Sequence, residues 1–132
     1  MKEEIYHNPD YVYHLESWEF EEFVAEVFEN FGFRSVVTKR THDGGRDIIA
    51  TFEMGGVLYT TYFECKKYAK DRPVGVNIVW ELYAVMERER ANKGVIVTSY
   101  FTAGAIEEAA MFNGRIDLID FRKLQNMMNR LY

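Results

Sequence analysis

The chain has 132 residues, of which 48% are apolar and 16% aromatic, with a formal net charge of −5. That is one domain's length with enough apolar content for a core, which excludes a disordered segment. The lone Cys65 excludes an internal disulfide, no Cys/His cluster has zinc spacing, the first ten residues lack the apolar run of a signal peptide, and no stretch approaches the roughly 20 apolar residues of a membrane span. The expected setting is soluble, cytoplasmic and reducing.

The acidic balance argues against a partner surface that works only by neutralising phosphates. It leaves open an acidic site that holds divalent cations, because bound cations reverse the local field. The charge is also patterned. Lys39, Arg40, Arg46, Lys66, Lys67 and Lys70 fall close together, while Glu16, Glu19, Glu21, Glu22, Glu26 and Glu29 crowd an earlier stretch.

From Ser17 to Phe31, Phe20, Phe23, Val24, Val27, Phe28 and Phe31 recur at the spacing of an amphipathic helix, with Ser17 as the expected N-cap and Gly32 as the stop. Residues 1–16 read as an N-terminal extension to a domain spanning 17–132. Phe33 to Lys39 reads as a strand, and Thr41 to Arg46 as a turn built on Gly44 and Gly45. Asp47 to Phe52 and Val57 to Lys67 are expected as two antiparallel strands joined at Gly55-Gly56.

Pro73 is expected to open a helix that buries Val76, Val79, Leu82, Tyr83 and Met86 and ends near Gly94. Val95-Ile96-Val97, apolar without alternation, fits a central strand covered on both faces. Thr102 to Phe112 reads as a helix, Ile116 to Ile119 as a late strand, and Asp120 as the cap of a last helix carrying Phe121, Leu124, Met127, Met128 and Leu131. This order predicts a three-layer α/β/α sandwich around one mixed sheet.

Within Tyr62-Phe63-Glu64-Cys65-Lys66, strand alternation sets Glu64 and Lys66 on one face and Phe63 and Cys65 on the other. The hairpin brings Asp47 beside Glu64. Two hard oxygen donors and an ammonium in one small site suit phosphodiester cleavage: the acids hold Mg²⁺, with Mn²⁺ as substitute, and Lys66 orients or deprotonates the attacking water. Each residue alone is a weak signal, since Glu-x-Lys on a strand is commonly a surface pair. The joint spacing after a Gly-Gly turn is what points to chemistry.

Asp43-Gly44-Gly45-Arg46-Asp47-Ile48, Phe63-Glu64-Cys65-Lys66-Lys67-Tyr68 and Val97-Thr98-Ser99-Tyr100-Phe101-Thr102 with Ala105 resemble successive motifs of the Mrr-type restriction endonucleases, over roughly residues 18 to 125. The resemblance implies the restriction-endonuclease-like fold of the PD-(D/E)XK superfamily and metal-dependent DNA cleavage. It also implies a glutamate on the first helix, following an aromatic residue and eleven positions before a glycine, which Glu21 and Gly32 match. The helical wheel sets Glu21 at the border of the buried stripe and Glu22 on an exposed arc with Trp18, Ala25 and Glu29. Glu21 is therefore assigned as an auxiliary metal or water ligand, or alternatively as an acid that only complements the helix dipole.

Many members have Gln-x-Lys where this chain has Glu64-x-Lys66, which is nearer the wider superfamily. Many also carry an N-terminal DNA-recognition domain, for which the sixteen residues before the first helix leave no room. The expected partner is double-stranded DNA, cut by a homodimer, with Gly44, Gly45, Arg46, Lys67 and His42 as candidate DNA contacts. The alternatives are a structure-selective nuclease resembling Holliday-junction resolvases, or a non-catalytic DNA-binding or assembly module on the same fold.

Overall fold

The computed structural model describes residues 2–37, 47–67 and 72–131. Its elements in chain order are α1 (Lys2–His7), a 3-10 helix (Pro9–His14), α2 (Ser17–Glu29), β1 (Arg34–Val37), β2 (Ile48–Met54), β3 (Val57–Lys66), α3 (Val76–Glu89), β4 (Lys93–Thr98), α4 (Ala103–Ala110), β5 (Ile116–Ile119) and α5 (Phe121–Leu131). The strands form one sheet in the order β1-β2-β3-β4-β5. β1, β2 and β3 pair antiparallel, and β3, β4 and β5 pair parallel, so β3 is the seam between the two ladders.

The β2–β3 hairpin closes as the sequence predicts. Met54 faces Val57 across a two-residue loop in which Gly55 and Gly56 have φ of 59° and 82°, a conformation that β-carbons disfavour. The parallel half needs crossovers, which α3 and α4 supply. Thr102 caps α4, its Oγ1 accepting from the Ala105 N–H at 3.0 Å, and Asp120 caps α5, its Oδ1 accepting from the Lys123 N–H at 2.7 Å.

Two apolar layers sandwich the sheet. On one face Phe20, Phe23, Val24, Val27 and Phe28 of α2, with Leu124 and Met128 of α5, pack on Ile48, Ala50, Phe63, Val95, Val97 and Ile119. On the other face Val79, Leu82, Val85 and Met86 of α3, with Ala105 and Ala109 of α4, pack on Tyr62, Ile96 and Ile116. The expected three-layer α/β/α architecture is therefore present, with β4 buried between helices on both sides.

Several boundaries differ from expectation. Ser17 is the first residue of α2 rather than its cap; Glu16 holds the cap position, and its N–H donates to Glu19 Oε1 at 2.9 Å. Helix α3 starts after Gly75, not at Pro73, and Val76 is exposed rather than buried. It ends at Arg90, whose φ of 59° turns the chain in place of a glycine. Gly94 lies inside β4 instead, where an added Cβ would sit 2.8 Å from Leu82 Cδ2 and closer still to Met86 Sδ. Ala25, expected on the exposed arc of α2, is buried. Ile5, Val12 and Leu15, in the stretch read as an extension, belong to the α2-side core.

Candidate active site

Strand β3 places the acid and the base. Tyr62 and Phe63 enter opposite cores, so the alternation is anchored on both faces, and Glu64 follows Tyr62 toward the α3 side. Lys66, two residues on, shares that face, and its Nζ lies 3.1 Å from Glu64 Oε1. Glu64 is only 2% exposed, and its Oε2 is buried with no hydrogen-bond partner among the described residues.

Asp47 immediately precedes β2. Its N–H donates to the Phe63 carbonyl at 2.6 Å, and its Oδ2 accepts from the Cys65 N–H at 2.6 Å, which ties the carboxylate to the backbone flanking Glu64. The two acids feel each other. Burial first, and the Asp47 charge second, push the Glu64 carboxyl up to about 7, against the opposing pull of Lys66. Glu81 on α3 adds a smaller push in the same direction, a carboxylate near the site that the sequence reading did not single out. Its only sequence signal is its place on α3, the helix that covers this face.

Cys65 points to the opposite layer, packed against the α2-side core. Burial raises its thiol well above the ordinary range, reinforced by Asp47, Glu21 and Glu64 in that order and opposed by Lys66. All four candidate site residues, Asp47, Glu21, Glu64 and Lys66, are thus within electrostatic reach of one sulfur. They are not one cluster, however. Glu21 is buried on α2 at 5% exposure, on the Cys65 side of the sheet, while Glu22 is exposed. Among the described residues no three His, Cys, Asp or Glu side chains form a ready-made metal cage.

Lys67, just past β3, donates from Nζ to the carbonyl of Tyr13 at 3.3 Å, so the N-terminal 3-10 helix reaches the end of β3. His42, Gly44, Gly45 and Arg46 lie outside the described residues. Thr98, in register with Lys66 on β4, is fully buried, and its Oγ1 also has no hydrogen-bond partner among the described residues. Its signal in the sequence is a hydroxyl closing the apolar run Val95-Ile96-Val97.

The Mrr catalytic-domain model, described as restriction endonuclease, matches residues 12–128. The chain belongs to that restriction endonuclease family. The fold is similar to that of the DNA modification-dependent restriction endonuclease AspBHI, with a TM-score of 0.73 and 21% identity over 98% of this chain and 33% of that one. It is equally similar to the MspJI restriction endonuclease, solved in complex with a 27-mer oligonucleotide, at a TM-score of 0.73 and 21% identity over 96% of this chain and 30% of that one. A curated relative, the uncharacterised protein y4cE of Sinorhizobium fredii, is 36% identical over 102 residues, covering 76% of this chain and 26% of that protein. The chain therefore spans about a quarter to a third of these relatives. Asp47, Glu64 and Lys66 all fall inside the segment that the restriction endonuclease family model covers.

Proposed function

We propose that this chain is the catalytic domain of a metal-dependent DNA endonuclease of Mrr-like type, in which Asp47 and Glu64 are the cation ligands and Lys66 serves the attacking water. The observation that carries the reading is the Glu64 Oε2 atom, buried and without a hydrogen-bond partner among the described residues. Burying a carboxylate oxygen in this way costs free energy that a bound partner would recover. Beside Asp47 the missing partner is a hard cation, since Mg²⁺ and Mn²⁺ prefer carboxylate oxygen.

A bound divalent ion would polarise a phosphate oxygen and offset the crowding of two acids. The chain's own contribution is positional. Asp47 is fixed by the backbone of β3, Glu64 by the rigid alternation of a central strand, and Lys66 by its contact with Glu64. Its ammonium would orient water and stabilise charge that develops on the phosphorus oxygens. Glu21 would assist from the α2 side. Lys67, together with His42, Gly44, Gly45 and Arg46, would contact the DNA backbone.

The restriction endonuclease neighbours, one of them bound to an oligonucleotide, support DNA as the substrate. Two copies related by a two-fold axis would present one site to each strand of a duplex. The test is incubation of supercoiled plasmid with Mg²⁺ or Mn²⁺ and with a chelator, for the parent and for Lys66→Ala. Nicked or linear product that needs the metal, and at least about a hundredfold loss in Lys66→Ala, is expected. A folded Lys66→Ala protein that cuts at the parental rate would overturn the reading, and comparing linear with branched DNA sorts the substrate class.

A further inference from the structure

Thr98 is the last residue of β4 and is 0% exposed. A hydroxyl there costs stability unless it is bonded, and valine would fill the same shape without that cost. The three preceding positions, Val95, Ile96 and Val97, are apolar, and all pack in the core. Packing alone therefore gives no reason for the oxygen.

Register gives one. In the parallel ladder Glu64 is paired with Ile96 and Lys66 with Thr98, so Glu64, Lys66 and Thr98 stand on one sheet face at the neighbouring ends of two strands. Only two buried side-chain oxygens lack a hydrogen-bond partner among the described residues, and both are here: Glu64 Oε2 and Thr98 Oγ1. We propose that Thr98 is a positioning residue for Lys66, its hydroxyl accepting a hydrogen bond from the ammonium when Glu64 is engaged by a cation. This rests on the nuclease reading.

The physical argument is one of competing duties. Glu64 Oε1 now lies 3.1 Å from the lysine nitrogen. A carboxylate that gives its charge to a divalent ion holds an ammonium more weakly, and the two cations repel. The Thr98 hydroxyl, which has no hydrogen-bond partner among the described residues, then offers the ammonium a further acceptor on the adjacent strand. A neutral hydroxyl on the adjacent strand can aim the ammonium without neutralising it, which a third carboxylate could not do.

The experiment compares the parent, Thr98→Val and Thr98→Ser by thermal melting in chelator and by steady-state plasmid cleavage with Mg²⁺. Thr98→Val is expected to melt at or above the parental temperature, to keep KM, and to lose roughly ten- to a hundredfold in kcat. Thr98→Ser is expected to recover kcat to within about threefold of the parent, because it keeps the oxygen. The proposal is overturned by a Thr98→Val protein that cuts at the parental kcat, by a serine variant as slow as the valine one, or by a fall in melting temperature in Thr98→Val, which would mark a purely structural hydroxyl. A parent that leaves DNA intact under every metal condition sinks the nuclease reading and this inference with it. A parent that cuts beside an unaffected Thr98→Val sinks this inference only.

Discussion

Glu64 and Lys66 sit two residues apart on β3 and meet at 3.1 Å through Oε1, while the other oxygen of the same carboxylate is buried with no hydrogen-bond partner among the described residues. One carboxylate thus has two unlike oxygens: Oε1 meets a lysine that partly neutralises it, and Oε2 is left without a hydrogen bond among the described residues. Asp47 sharpens the imbalance by adding a second negative charge from the residue just ahead of β2. The stability of the metal-free protein should register this.

The folded-state pKa of Glu64 is raised from 4.5 to about 7. The native state therefore binds the proton more tightly than the unfolded chain. The stabilisation from this group is fully present below pH 4.5 and is lost as pH rises through about 7. In chelator the parent should lose up to about 3 kcal/mol between pH 5 and pH 8 from this source, and Glu64→Gln should flatten that slope. Denaturant titrations at both pH values check it; parallel slopes for the two proteins would contradict it.

Glu21 and Glu22 offer a matched pair of neighbours on one helix. Glu21 is 5% exposed and acts on the Cys65 sulfur, whereas Glu22 faces solvent. If the proposed function holds, Glu21→Gln is expected to slow cleavage with Mg²⁺ on the order of tenfold, less than removal of a direct acid–base group. Glu22→Gln should cut like the parent. Equal rates for both variants would leave Glu21 as a helix-dipole acid.

At Gly94 the side chains of Leu82 and Met86 on α3 lie directly over the backbone of β4. An added methyl would meet Leu82 Cδ2 at 2.8 Å, with Met86 Sδ nearer, so Gly94→Ala should destabilise by about 1–3 kcal/mol through overpacking. The readout is a lower urea midpoint with an unchanged slope. A midpoint equal to the parent's would show that the two side chains yield without cost.

The Cys65 thiol is held well above its ordinary pKa by burial and by three surrounding acids. Thiolate is the reactive form, so alkylation by iodoacetamide at pH 8 should run at least about tenfold slower in the folded protein than in urea. Labelling as fast as in the unfolded chain would show that the sulfur is accessible and ionised.

Local rules made much of this legible. Paired glycines between β-rich runs set the hairpin, and period-two alternation set Glu64 and Lys66 on one side of it; both follow from backbone sterics that need no tertiary context. The burial of Glu21 against the exposure of Glu22 followed from helix geometry in the same way. What stayed hidden depends on distant contacts. Gly94 looks like a helix stop until Leu82 and Met86 are seen to lie over it. Arg90 takes a left-handed φ of 59° that a non-glycine residue does not advertise. The short α1 and 3-10 helices carry too few turns for a periodic signal, and Thr98 becomes informative only through its register with Lys66.

Residues 2–16 are fastened at two levels: Ile5, Val12 and Leu15 are sunk into the α2-side core, and the Tyr13 carbonyl receives the ammonium of Lys67. A truncated version beginning at Ser17 would open a greasy notch above Phe23 and Met128 and untie the residue that follows β3. Such a fragment would keep every acid and lysine of the site yet be prone to clump and slack in its grip, so the economical boundary for expressing this fold lies ahead of α1.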